Sequence, residues 1–271
     1  MIKPITPTEN LLFSTIRLET SQGFGTGFYF LFELDDKEVP VFITNKHVIN
    51  TSNANEKVKF SLHFAENGQP SKEVITVTYE SEWIFHDKYD LAFTFANPLF
   101  EHIKRKFGKD VFVIPLTEDL IWDNERLKHL SAVEDVLMYG YPIGLYDKEN
   151  VLPLIRRGVT ASHPAIDFNG EKIGVVDIAC FPGSSGSPIL IVNEGSYTDK
   201  KNNGVVIGSR VIFLGILFKG PIYNSEGEIV IKDIPTRLVS ITPQMINLGY
   251  YIKSEVILDF KEKIKEKIRI K

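Results

Sequence analysis

The sequence predicts an all-β protein of two barrels or sandwiches, followed by a C-terminal α-helix. Three observations carry that expectation. Short runs rich in Val, Ile, Phe, Tyr and Thr, separated by Gly, Asn, Asp and Pro clusters, fill both the first and the last parts of the chain. A polar, weakly patterned stretch, 117–130, lies between them. An amphipathic segment with apolar residues at helical spacing comes last.

Taken in order, the predicted strands of the first group are 11–19, 26–34, 41–44, 57–64, 73–79 and 90–95. Residues 74–79 are β-branched or aromatic throughout, which suits a pleated surface. The spacing then changes to a helix over 98–107, with Leu99, Phe100, Ile103 and Phe107 apolar and Gly108 as its stop signal. The second group comprises 136–141, 152–160, 172–179, 187–192, 204–218, 228–231 and 237–241, and 194–203 reads as a mobile polar loop. Ser254 is the expected N-cap of the last helix, with Ile257, Phe260, Ile264 and Ile268 on one face. These groups divide the chain into an N-terminal β-barrel, 1–125, and a C-terminal β-barrel with its helix, 126–271.

Composition narrows the function classes. With 31 Lys+Arg against 35 Asp+Glu, the net charge of −4 gives no reason to expect nucleic acid or an anionic membrane as the main partner. No apolar run approaches the ~20 residues of a membrane span, and the N-terminus lacks the pattern of a signal peptide. Cys180 is the single cysteine, so no intramolecular disulfide can form. That fits a reducing compartment and makes the cytoplasm the default. No His, Cys or carboxylate grouping has metal spacing, and no cofactor is expected. Gly23-x-Gly25-x-Gly27 is no phosphate loop, because Phe28 stands where the dinucleotide pattern needs glycine and a strand follows instead of a helix.

The stretch with chemical content is Phe181-Pro182-Gly183-Ser184-Ser185-Gly186-Ser187-Pro188, a small-residue turn running into the apolar strand Ile189–Val192. Such a turn can present a serine hydroxyl while aiming backbone N–H groups at one point, as acyl transfer requires. A base is then needed. His47 and His86, of six histidines, closely follow apolar runs. Asp90, Asp110, Asp135 and Asp177 all stand at the mouth of an apolar β-run, and pattern alone does not choose among them. His47, Asp90 and Ser185 occur in the order base, orienter, nucleophile of the chymotrypsin arrangement.

At these residues the chain resembles a trypsin-like (chymotrypsin-fold) serine peptidase, in the style of the cysteine-poor bacterial group that includes the high-temperature-requirement proteases. Thr44-Asn45-Lys46-His47 matches the family's Thr-x-x-His, and Asp90-Leu91-Ala92 its Asp-Leu/Ile-Ala. Gly183-Ser184-Ser185-Gly186-Ser187-Pro188 is similar to its Gly-Asp/Asn-Ser-Gly-Gly-Pro. Gly25-Thr26-Gly27-Phe28 and Gly140-Tyr141-Pro142-Ile143-Gly144 resemble an early Gly-rich strand and a turn of bacterial members. The resemblance spans 11–257 and implies two six-stranded antiparallel β-barrels. It also implies Ser185 as nucleophile, His47 as general base, Asp90 as its orienter, and the N–H groups of Gly183 and Ser185 as oxyanion hole. Phe218, Lys219 and Gly220 would bind substrate backbone as an added strand, and Ala179 would floor the specificity pocket, selecting apolar side chains.

Departures from the pattern are informative. Ser184 stands where digestive members carry the aspartate that receives a freed N-terminus, and no Ile-Val-Gly-Gly start exists, so activation by that ion pair is not expected. Ser187 replaces the second glycine, and the peptide-binding module of many high-temperature-requirement proteases is not expected. Cys180 matches no nucleophile motif and reads as a buried structural thiol. The expected partner is a protein or peptide substrate, with an activating partner compatible. The competing class is a catalytically silent or partner-activated peptide-binding module on the same fold.

Overall fold

The computed structural model describes residues 1–49, 55–229 and 238–269. A short helix, α1 (Pro7–Leu12), opens the chain. Nine strands of the N-terminal half follow among the described residues: β1 (Thr15–Thr20), β2 (Gly23–Leu34), β3 (Lys37–Thr44), β4 (Asn55–Glu66), β5 (Gln69–Glu82), β6 (Ile84–Phe85), β7 (Ala92–Phe95), β8 (Val111–Phe112) and β9 (Leu116–Thr117). They form one sheet in the order β5-β4-β1-β2-β3-β7-β6, with β8 added to β4 and β9 to β2. Helix α2 (Asn97–Phe107) lies between β7 and β8, and Gly108 ends it in the left-handed conformation that glycine adopts without strain.

The connection contains the one-turn helix α3 (Asn124–Leu127). Beyond it come β10 (Asp135–Gly140), β11 (Leu154–Thr160), β12 (Ile173–Asp177), β13 (Pro188–Asn193), β14 (Ser196–Asp199), β15 (Gly204–Ile207), β16 (Arg210–Lys219), β17 (Ile222–Ile229), β18 (Leu238–Met245) and β19 (Leu248–Lys253). Six of them close an antiparallel barrel in the order β10-β11-β12-β19-β16-β13. The pairs β14-β15 and β17-β18 are separate hairpins. A 3₁₀ segment, Ser254–Asp259, leads into α4 (Phe260–Arg269). No helix among the described residues is long and apolar enough to cross a membrane.

The all-β expectation and the closing helix hold, and the C-terminal half closes the expected six-stranded barrel. The N-terminal half is instead a nine-stranded sheet, in which the short β8 and β9 are added at its flanks and β9 runs parallel to β2. Leu11 and Leu12 belong to α1, where Thr6 and Glu9 form a capping box around Pro7, a helix start that overrides the β-pattern beginning at Leu11. The predicted loop 194–203 carries β14, and the predicted run 204–218 is two strands separated at Gly208. Ser254 is the first residue of the 3₁₀ segment and makes no side-chain cap; Lys253 is the capping position. Ile257, Phe260 and Ile264 are fully buried as expected, whereas Ile268 is about half exposed. The sequence does not predict β6, β8, β9 and β19; the first three have only two residues each, and glycine interrupts the apolar pattern of β19. Part of the predicted strands 228–231 and 237–241 lies outside the described residues.

The two halves share a core. Phe28, Phe30 and Phe32 of β2 pack in one buried cluster with Tyr139, Leu190, Phe213, Ile252 and Phe260 from the C-terminal half. Phe28 and Phe213 meet edge to face at 5.4 Å, an arrangement that aromatic quadrupoles favour. Burying side chains of this size contributes about 1.5–3 kcal/mol each, so the halves are held in a defined relation at their junction.

Candidate active site

Strand register brings His47 and Asp90 together. β3 and β7 are antiparallel with Thr44 opposite Ala92, so the residues just after β3 and just before β7 emerge at the same end. Those residues include His47, in the 3₁₀ turn Lys46–Val48, and Asp90. Asp90 Oδ2 lies 2.6 Å from His47 Nδ1, and Asp90 Oδ1 accepts the backbone N–H of His47 at 3.1 Å. An ionised carboxylate can only accept, so Nδ1 carries a proton; in the neutral imidazole Nε2 then keeps its lone pair. Asn45 is fully buried and donates to the backbone carbonyl of Asp90 at 2.8 Å. The pair sits at the rim of the fold, with the His47 side chain 47% and that of Asp90 29% exposed. Asp110, Asp135 and Asp177 are elsewhere: Asp110 pairs with Lys104, Asp135 with Arg157, and Asp177 ends β12.

The serine turn is held differently. Pro182 supplies a fixed φ, Gly183 adopts φ +88°, and Ser184 N–H donates to Phe181 O at 3.0 Å, the signature of a type II turn. Pro182 O accepts the N–H of Ile143 at 2.5 Å. In a trans peptide the N–H points opposite to its carbonyl, so Gly183 N–H faces away from Ile143. Downstream, Gly186 N–H donates to Leu217 O and Ser187 N–H to Ser184 O. Gly183 and Ser185 are the two residues of 183–187 whose N–H groups make no hydrogen bond among the described residues. Ser184 and Ser187 are fully buried with hydroxyls that lack partners among the described residues, whereas Ser185 lines a cavity of about 190 Å³ together with His47, Gly183, Pro182 and Phe24.

Gly186 has φ +85°, and a Cβ there would run into the backbone carbonyl of Thr26 and the hydroxyl of Thr44. Ser187 needs no such freedom, since positive φ in this turn is confined to Gly183 and Gly186.

Thr26, to which the sequence assigns no role, joins three of the motifs, 44–47, 140–144 and 183–188. Its N–H donates to Ser185 O at 3.0 Å, and its hydroxyl donates to Gly183 O at 2.9 Å while accepting Tyr141 N–H at 3.0 Å. Its carbonyl accepts the Thr44 hydroxyl at 2.7 Å. Gly25-Thr26-Gly27 was visible in the sequence, but its glycines drew the reading and the threonine between them carries the contacts.

The expected substrate strand lies beside this turn. Leu217 N–H donates to Ser187 O, and β16 pairs with β13 only as far as Ile216, so Phe218, Lys219 and Gly220 run on past the end of β13. Ala179 is half buried, and its carbonyl accepts from Arg156 at 2.7 Å. None of these four residues lines the cavity that holds His47 and Ser185. Cys180 is buried, which pushes its thiol up to about 11 and keeps it protonated at neutral pH. No group of three or more metal-ligating side chains occurs among the described residues.

No family model matches the chain, and no curated protein matches it in sequence. Among solved structures the chain is similar to the Rv3671c protease in its inactive form, at 16% identity and a TM-score of 0.45, covering 94% of this chain and 90% of that one. A mutant of Rv3671c from M. tuberculosis, also in the inactive form, aligns at 14% identity and a TM-score of 0.45 over 98% of each chain. The thermostable serine protease AL20 from an extremophilic microorganism aligns at 13% identity and a TM-score of 0.46, over 95% of this chain and 98% of that one.

Proposed function

We propose that this protein is a serine endopeptidase acting through Ser185, His47 and Asp90. One observation carries the reading: a single cavity collects His47, Ser185 and Gly183, next to two backbone N–H groups that have no acceptor of their own. Ser185 Oγ attacks the scissile carbonyl as His47 Nε2 takes its proton. Asp90, held against Nδ1–H, stabilises the imidazolium that results. The oxyanion is received by Gly183 N–H and Ser185 N–H, and losing one such donor typically costs about 10²–10³ in kcat. His47 then returns the proton to the leaving amine, and water resolves the acyl-enzyme by the same steps in reverse. Substrate backbone adds to β16 at Phe218, Lys219 and Gly220, where pairing with β13 has ended.

Activity needs no ion pair with a freed N-terminus, since Ser184 is a buried hydroxyl in place of a carboxylate. The chain trimmed to begin at Leu11 is expected to react no faster than the full chain. A second reading, a catalytically silent or partner-activated peptide-binding module, is favoured by one feature: no hydrogen bond among the described residues joins Ser185 Oγ to His47. In resting enzymes that bond is often long and tightens only with substrate. Labelling with a fluorophosphonate, wild type against Ser185→Ala, separates the two. A Ser185 adduct found by mass spectrometry supports the peptidase, and no adduct under any condition supports the silent module.

A further inference from the structure

His86 is the second histidine that the sequence sets at the end of an apolar run, and the proposed chemistry leaves it unused. It lies four residues before Asp90, its ring is buried, and both ring nitrogens are engaged. Nδ1 accepts two backbone N–H groups, from Lys88 at 3.1 Å and Tyr89 at 3.0 Å. A nitrogen that accepts twice carries no proton, so the hydrogen is on Nε2, which donates to Asp259 Oδ2 at 3.1 Å. The backbone closes the same loop, with His86 N–H donating to Leu91 O at 2.9 Å. The imidazole therefore fills the inside of a six-residue loop whose fifth member is Asp90. Asparagine or aspartate commonly caps such turns through its own side chain; here a longer ring does so and reaches further.

What it reaches is the C-terminal segment. Asp259 ends the 3₁₀ segment, and Phe260, the first residue of α4, packs edge-on against the His86 ring at 5.5 Å. One turn on, Lys263 donates to Phe85 O at 3.0 Å and pairs with Asp87, the residues on either side of His86. From the C-terminal barrel side, Tyr89 accepts Lys172 N–H at 3.3 Å. The loop is thus gripped from inside by one ring and from outside by the end of the chain.

We propose that His86 is a positioning residue for Asp90, and that through it the segment Ser254–Arg269 braces the acid of the triad. The inference rests on the peptidase reading for its kinetic consequence, though not for its geometric one. Without the ring acceptor, two N–H groups of the loop lose their partner, and Asp90 is held beneath His47 only by Asn45 and by its own bonds to His47. A misplacement of about 1 Å at a catalytic group can cost on the order of 10²-fold in rate.

Two readouts test this on the full chain. The first is the second-order rate of fluorophosphonate labelling. The second is the far-downfield proton resonance of His47 Nδ1–H, which reports its bond to Asp90 whether or not the protein reacts. His86→Ala is expected to slow labelling by about 10–100-fold and to lose or shift the resonance. His86→Asn restores a side-chain acceptor for the loop N–H groups, so it should recover most of the rate and the resonance. Asp259→Ala with Lys263→Ala removes the outer grip alone and should slow labelling by about 3–10-fold with the protein folded. A folded His86→Ala within twofold of wild type on both readouts overturns the proposal, as does His86→Asn behaving no better than His86→Ala. Should His86→Ala fail to fold, the Asp259/Lys263 double variant decides: an unchanged rate and resonance reject the brace. If wild type itself is never labelled, the peptidase reading fails, and the resonance still tests whether His86 positions Asp90.

Discussion

The two loops that meet at the cavity are built by opposite means. The His47–Asp90 side is fixed by side chains, with Asn45 gripping the Asp90 carbonyl and the Asp90 carboxylate bonding twice to His47. The Ser185 turn is fixed almost wholly by its backbone: a type II turn, two glycines at positive φ, and main-chain bonds to Thr26, Ile143 and Leu217. Under the proposed function, the difference follows from the task. A base and its orienter need one tautomer, which a side-chain partner selects. An oxyanion site needs two N–H groups aimed at one point, which only a fixed backbone can provide.

Substitution separates the two sides most sharply at the nucleophile. Ser185→Ala should abolish labelling and lower kcat by about 10⁶. Ser184→Ala and Ser187→Ala should keep the label, because those hydroxyls are buried away from the cavity. An adduct on Ser184 or Ser187 would contradict the register. On the side-chain half, Asp90→Asn leaves the shape but loses the charge that selects the tautomer, and kcat should fall about 10⁴-fold with little change in thermal stability.

On the backbone half the order is reversed, with stability and rate expected to fall together. Gly186→Ala forces a Cβ into the Thr26 carbonyl at a φ that alanine avoids, so the melting temperature should drop along with the labelling rate. Thr26→Val keeps the volume but leaves Gly183 O and Tyr141 N–H unpaired, at about 1–3 kcal/mol each. Thr26→Ser should restore both. A Thr26→Val enzyme with wild-type rate and stability would show that the turn stands without this hub.

Specificity sharpens the comparison in a third segment, the one that follows β12. Ala179 provides no carboxylate to repay the desolvation of a lysine or arginine side chain. Cleavage of a mixed peptide library should therefore follow leucine, valine or phenylalanine at least about 10-fold more often, a margin that corresponds to 1.4 kcal/mol. A clear preference for basic residues would move the pocket elsewhere.

The smallest expected effect is in alkali. Burial raises the thiol of Cys180 and the phenols of Tyr141 and Tyr251, all in the C-terminal barrel or its turn. A group whose pKa is higher folded than unfolded stabilises the fold fully below its unfolded value and loses that contribution as pH rises through the folded one. From ordinary values of 9.0 and 10.0, the melting temperature should hold to about pH 9 and decline above it. A melting temperature that rises between pH 9 and 11 would contradict the sign.

The amino-acid sequence by itself determined the local terms: the β-patterned runs, α2 with its Gly108 stop, and the apolar face of the last helix. It also determined the glycines at 183 and 186, because a backbone forced to positive φ selects for glycine wherever it occurs. The family motifs singled out Asp90, but composition left it level with Asp110, Asp135 and Asp177. Tertiary structure brought Asp90 to His47, through a β3–β7 register that sets Thr44 opposite Ala92. The same holds for Thr26 and His86, whose partners lie up to 173 residues away along the chain. Periodicity records how each residue meets its own neighbours. Which strand ends and loops converge is settled by the packing of distant segments, and that is where the order of this site comes from.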